Sequence, residues 1–175
     1  MGDSSKERTL SGVARRQALN ARIQNFSQSL RESAKLRPRV IELVRLRIAF
    51  HNQCRYCMSV RNGVALDDGL TEAMVCSLEK PVDDPTLSAA EQAALAFADR
   101  FANDHLAIDA AMLARLREHF DEDEVMDLGA LAASFVGFGR MGAVFDGGET
   151  LPVGAKPADG SRLAPWNVRE PLVVR

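Results

Sequence analysis

No stretch of this 175-residue chain is apolar for long enough to span a membrane. The longest nearly apolar segment, Leu128 to Gly139, falls well short of the roughly 18 residues that a span requires. The opening, MGDSSKERTLSGVARRQ, has no apolar signal-peptide core, which points to a cytoplasmic protein. Cysteine is scarce: three residues cannot all pair within one chain, and this context argues against a secreted disulfide framework. Proline (7) and glycine (12) are too ordinary in number for a collagen-like or low-complexity chain. No long alternation of polar and apolar residues predicts a sheet. No flavin or nicotinamide fingerprint occurs, so no cofactor is expected.

What is present suits a globular chain of one domain plus tails. Hydrophobic residues make up 46% and charged residues 26%, enough for a core and too balanced for disorder. The net charge of −2 hides an asymmetry: residues 1–61 carry 13 Lys+Arg against 4 Asp+Glu, and the rest carry 9 against 20. A basic N-terminal third raises nucleic-acid binding as a possibility. Its arginines are spread through helical patterns rather than clustered in a tail. The preferred reading is therefore that they pack against the acidic remainder, in the same chain or in a neighbouring subunit.

The punctuation marks out helices. Thr9 to Ser33 reads as an amphipathic arm. Pro38 suits the first turn of a helix running to about Asn52. A further helix is expected from Cys54 to Leu66, stopped by Asp67-Asp68-Gly69, and a short one from Thr71 to about Leu78. Ser88 and Glu91 form a capping-box pattern that opens a helix to about Ala102. Asp109 starts one ending near His119, and Asp121 to Glu124 opens a long one to about Phe145. The expectation is an all-α compact helical bundle of about six to eight helices. Residues 1–35 would be an N-terminal helical arm, 36–147 the core, and 148–175 an extended tail packing on the core or a neighbour, with Val173 and Val174 as a possible strand.

The helix from Pro38 is apolar nearly all round, through Val40, Ile41, Leu43, Val44, Leu46, Ile48 and Ala49, and is read as buried. Glu42 falls inside its apolar arc. An uncompensated carboxylate there costs several kcal/mol in order of magnitude, so it needs a partner, a proton or a job. An i,i+3 ion pair with Arg45 is the plain alternative to a functional role. The sharpest local feature is Cys54-Arg-Tyr-Cys57. At i,i+3 on a helix the two sulfurs face the same way, and the helix N-terminus favours thiolate, the reactive species. Arg61, one turn after Cys57 on a regular helix, would lower the thiol pKa further. Zinc is the competing reading, with His51, Cys54, Cys57 and Cys76 as Cys3His ligands. It lacks the second paired ligand knuckle, so no metal is expected. Cys76 by itself reads as a small buried hydrophobe, and His105 and His119 as solvated helix-end residues.

Glu42, eleven intervening residues, Cys54-x-x-Cys57 and a polar residue four further on resemble the alkylhydroperoxidase-D-like, carboxymuconolactone decarboxylase family, whose pattern is E-x11-C-x-x-C-x3-H. Asn52 before the first cysteine, Tyr56 between the two, and the Gly69-Leu-Thr-Glu72 start of the next helix match in kind. The resemblance covers about residues 36–147. It implies that Cys57 attacks a peroxide or disulfide, that Cys54 resolves the intermediate, and that Glu42 relays protons. The family histidine is replaced by Arg61, which cannot shuttle a proton near neutral pH. His51 is the substitute candidate, although a regular helix would place it nearly opposite Glu42.

The resemblance implies a thiol-dependent peroxidase or disulfide reductase in antioxidant defence, acting on a hydroperoxide or disulfide. An external dithiol or thiol protein would be its reductant, and the assembly would be a homo-oligomer, commonly a trimer or hexamer. The alternative within the family is ring-opening decarboxylation of a small lactone, against which the cysteine pair counts. From a different class comes a non-enzymatic helical module binding nucleic acid through the basic third.

Overall fold

The computed structural model describes residues 4–82, 84–145 and 162–175. They fall into two compact units, one ending at Ala34 and one running from Lys35 to Arg175. The first unit is a single helix, α1 (Ser4–Ser33), which begins five residues before the expected Thr9. Leu19, Ile23, Phe26 and Leu30 recur at helical spacing along one stripe of it. Leu19 and Phe26 stay about half exposed.

The second unit contains α2 (Pro38–Asn52), α3 (Arg55–Ser59), β1 (Val60–Asn62), α4 (Gly63–Asp67), α5 (Glu72–Ser77), α6 (Ala89–Asn103), α7 (Ala110–Arg117), α8 (Glu122–Val144) and β2 (Leu172–Val174). With α1 that makes eight α-helices among the described residues, and the fold class is all-α. Local chemistry explains most boundaries. Pro38 opens α2, where its missing N–H costs nothing. Thr71 caps α5 and Asp109 caps α7. Ser88 with Glu91, and Asp121 with Glu124, close reciprocal capping boxes on α6 and α8.

α2 is the central element and packs chiefly on α6 and α8. One core cluster gathers Leu43 and Leu46 of α2, Ala65 of α4, Met74, Val75 and Leu78 around α5, and Leu95 of α6. Each leucine buried this completely contributes on the order of 2 kcal/mol. α2 has buried residues on every side, as its sequence predicts.

The expected Cys54–Leu66 helix is corrected. The chain leaves the helix after Ser59, runs extended through Val60–Asn62, and restarts as α4 with the Asn62 side chain accepting from Val64 N at 3.0 Å. The cause is tertiary. β1 pairs in parallel with β2, Val60 opposite Leu172 and Asn62 opposite Val174, so a segment from the far end of the chain takes up its backbone groups. The strand anticipated at Val173-Val174 is β2. Residues 148–161 of the expected tail lie outside the described residues, apart from which Ala164, Pro165 and Val168 are buried and Trp166 lies 4.8 Å from the Phe50 ring.

Part of the charge asymmetry is met by ion pairs between basic residues before position 62 and acidic residues after it. Arg37 meets Asp68, Arg39 meets Glu91 and Arg47 meets Asp99, each at 2.6 Å, and Arg61 meets Glu72 at 2.9 Å.

Candidate functional site

Cys54 and Cys57 sit at a junction built by the end of α2. Gln53 adopts the left-handed conformation (φ 54), its N–H donating to Phe50 O at 3.1 Å while Cys54 N donates to Ala49 O at 3.2 Å. This double closure satisfies the last carbonyls of α2 and reverses the chain direction. Cys54 thereby ends one helix and caps the next, its sulfur accepting from Cys57 N at 3.3 Å. A disulfide joins Cys54 to Cys57, with Cα atoms 5.3 Å apart. Cys54 is 1% exposed, whereas Cys57 keeps partial access to solvent.

α8 supplies the floor. A Cβ on Gly142 would lie 3.2 Å from the Cys54 sulfur, so the sulfur rests almost on the helix backbone. Gly139, one turn earlier, admits the Asn52 side chain, whose Nδ2 donates to Phe135 O at 2.9 Å. On the opposite flank, Gln53 exchanges two hydrogen bonds with the backbone of Leu163. Its Nε2 donates to Leu163 O at 3.1 Å and its Oε1 accepts from Leu163 N at 3.0 Å.

Beneath the cysteine turn lies a buried ion pair. Arg45 donates from Nε to Glu42 Oε2 at 2.7 Å and from Nη2 to Glu42 Oε1 at 2.6 Å. The same guanidinium donates from Nη1 to Cys57 O at 2.6 Å and from Nη2 to Val60 O at 2.9 Å. Glu42 Oε1 also accepts from Asn62 N at 2.9 Å. The pair therefore staples residues 57–62 onto α2. Burial works to lower the Arg45 pKa, yet the charge and hydrogen bonds of Glu42, with a smaller contribution from Tyr56, hold it above the ordinary guanidinium value.

Two expected site residues are placed elsewhere. Arg61 does not share a helical stripe with Cys57, because the helix ends before it. It is fully buried and its guanidinium makes five hydrogen bonds, two to Glu72 and one each to the carbonyls of Met58, Val60 and Pro165. His51 is held through Nε2 by Asp99 Oδ1 at 2.6 Å, on α6, in a carboxylate site shared with Arg47. Burial alone would raise the Asp99 pKa, but the His51 and Arg47 hydrogen bonds and the Arg47 charge hold it below the usual carboxylate value. Cys76 is corrected as well: it is a free thiol and exposed, not a buried hydrophobe. His105 and His119 are exposed.

Sequence reasoning named Glu42, Cys54 and Cys57; the structure joins Cys54 to Cys57 and ties Glu42 to the Cys57 carbonyl through Arg45. It overlooked Gln53, Gly142 and Leu163. The glycines at i and i+3 on α8 were the available signal, since close approach of a second segment needs a helix surface without Cβ atoms.

Residues 17–100 match the model of the carboxymuconolactone decarboxylase family. Two uncharacterized proteins from Mycobacterium tuberculosis, of strains CDC 1551 and H37Rv, are each 35% identical over 105 residues. That alignment covers 59% of this chain and 36% of each relative, so the chain spans about a third of the length of the curated relatives it matches. A crystal structure from Agrobacterium tumefaciens, titled a protein of unknown function and a candidate antioxidant defence protein AhpD, superposes with a TM-score of 0.60 at 24% identity. The likeness covers 78% of this chain and 90% of that one, and it is a likeness of fold.

Proposed function

We propose that this chain, whose residues 17–100 match the model of the carboxymuconolactone decarboxylase family, is a thiol-dependent peroxidase or disulfide reductase working through Cys57 and Cys54. The observation that carries the reading is the Cys54–Cys57 disulfide, with Cys54 buried and Cys57 partly accessible. An attacking thiol needs access to substrate, and a resolving thiol needs only its partner.

In the proposed cycle the Cys57 thiolate attacks the terminal oxygen of a hydroperoxide. The O–O bond breaks, sulfur is oxidised to sulfenic acid, and the departing alkoxide takes a proton that originates in water, with Glu42 as the relay carboxylate. The Cys54 thiol then condenses with the sulfenic acid, forming the disulfide and releasing water. An external dithiol reduces the pair by two exchange steps and leaves as its own disulfide. We place the protein in the cytoplasm as a homo-oligomer, which light scattering at micromolar concentration tests.

The deciding experiment is stopped-flow mixing of the reduced protein with hydrogen peroxide and with an organic hydroperoxide, counting thiols before and after. Loss of two thiols per chain at a rate well above that of free cysteine supports the reading. Retention of both thiols, with turnover of a small lactone instead, would favour the decarboxylase chemistry for which the family is described.

A further inference from the structure

We infer that Arg45, rather than Arg61, is the positively charged residue that sets the reactivity of Cys57, acting as a positioning residue for the thiol chemistry proposed above, on which this inference rests. Proximity comes first. The Arg45 Nη1 nitrogen lies 2.6 Å from the carbonyl oxygen of Cys57. The bonds linking a cysteine's carbonyl oxygen to its own sulfur keep that nitrogen within about 7 Å of the Cys57 sulfur in any side-chain rotamer.

Orientation comes second. Nε and Nη2 take the two oxygens of Glu42, while Nη1 is turned to Cys57. The cation thus bonds both the carboxylate and the cysteine turn, and the positive end of the ion pair is the one bonded to the Cys57 backbone. Burial comes third. Arg45 is 8% and Glu42 1% exposed, so their field reaches Cys57 with little screening by salt or water.

Two other cations near the turn, Arg61 and Arg140, are held by other partners. Arg61 is neutralised by Glu72 and makes five hydrogen bonds to Glu72 and to three carbonyls. Arg55 and Tyr56 precede Cys57 on α3. From Leu128 to Val144, α8 carries one charged residue, Arg140, whose Nη2 donates to Ala102 O. Glu42 has both oxygens on Arg45 and one also on Asn62 N, so its charge and that of Arg45 offset each other at the cysteine turn.

This geometry requires that the two partners of one ion pair shift the thiol in opposite directions. Removing the Glu42 charge leaves the Arg45 cation uncompensated and favours thiolate. Removing the Arg45 charge leaves a buried carboxylate and favours thiol. A pair that merely held the fold together would give the same direction for both, because each variant would loosen the same turn.

The test is iodoacetamide alkylation of Cys57 against pH in full-length protein with Cys54 and Cys76 replaced by Ser, comparing Glu42→Gln, Arg45→Met and Arg45→Lys. The expected result for Glu42→Gln is a profile moved to lower pH, with alkylation at pH 6 several-fold faster than in the parent. Arg45→Met should move it the other way, and Arg45→Lys, which keeps the charge but not the fork, should fall between. Circular dichroism monitors folding. Where Arg45→Met does not fold, the sign of the Glu42→Gln shift decides alone. Unchanged or slower alkylation in Glu42→Gln overturns the inference. Because alkylation involves no peroxide, that failure is distinguishable from a failure of the peroxidase reading, which shows in the thiol-loss experiment.

Discussion

Arg61 grips Glu72 through two hydrogen bonds, Nε to Oε1 at 2.9 Å and Nη2 to Oε2 at 3.1 Å. The position where the family pattern has a proton-carrying histidine thus holds a buried strut. It joins the start of α5 to the turn after the cysteines and, through Pro165 O, to the C-terminal segment.

Replacing Arg61 with Met should therefore cost stability rather than reactivity. Three carbonyls lose their donor in a buried setting, a loss on the order of 3 kcal/mol. Urea denaturation should show the drop in midpoint. The pH profile of Cys57 alkylation should superimpose on that of the parent, and a profile moved upward by half a pH unit or more would restore Arg61 to the site.

Oxidised protein should yield a Cys54–Cys57 linkage on non-reducing peptide mapping, with Cys76 free. Since Cys76 is exposed, it should react with a thiol reagent in the native state at close to the rate of a free cysteine. A protected Cys76, or a dominant crosslink through it, contradicts the structure.

Asp99 ties His51 and Arg47 to α6, and its pKa is depressed in the folded protein. A depressed carboxylate contributes stability that is complete above its unfolded value near 3.8 and is lost as pH falls through the lower folded value. Asp99→Asn should thus be less stable than the parent at pH 6, with the difference shrinking as pH falls below 3.8. A difference that stays constant down to pH 2 sinks the linkage argument. Turnover at neutral pH should be affected far less than by Cys57→Ser, because the cluster's hydrogen bonds tie α2 to α6 rather than to the cysteine turn.

Trp166, the single tryptophan, packs 4.8 Å from Phe50 and lies within the segment that bonds Gln53 and Arg61. Its emission should shift to the red on unfolding. Trp166→Ala should destabilise the protein by about 2 kcal/mol, as expected for a partly buried aromatic pair. An unshifted denaturation midpoint would show that the C-terminal segment does not contribute to the core.

The sequence by itself determined what depends on neighbours a few residues apart. Caps such as Ser88 with Glu91 and Asp121 with Glu124, the proline at the start of α2 and the i,i+3 meeting of Glu42 with Arg45 are short-range chemistry. The Cys54–Cys57 pairing is equally local, and it was legible from spacing. The tertiary structure alone decided where the helix after the cysteines would stop. β1 exists because β2, from the other end of the chain, supplies its hydrogen-bonding partner. That pairing takes Arg61 off the cysteine stripe and leaves Arg45 as the cation bonded to the Cys57 turn. Likewise His51 is drawn to Asp99 on α6, where the partly buried carboxylate accepts hydrogen bonds from both His51 and Arg47. Helical periodicity predicts which residues share a face only while the helix continues, and a partner distant in sequence set that limit here.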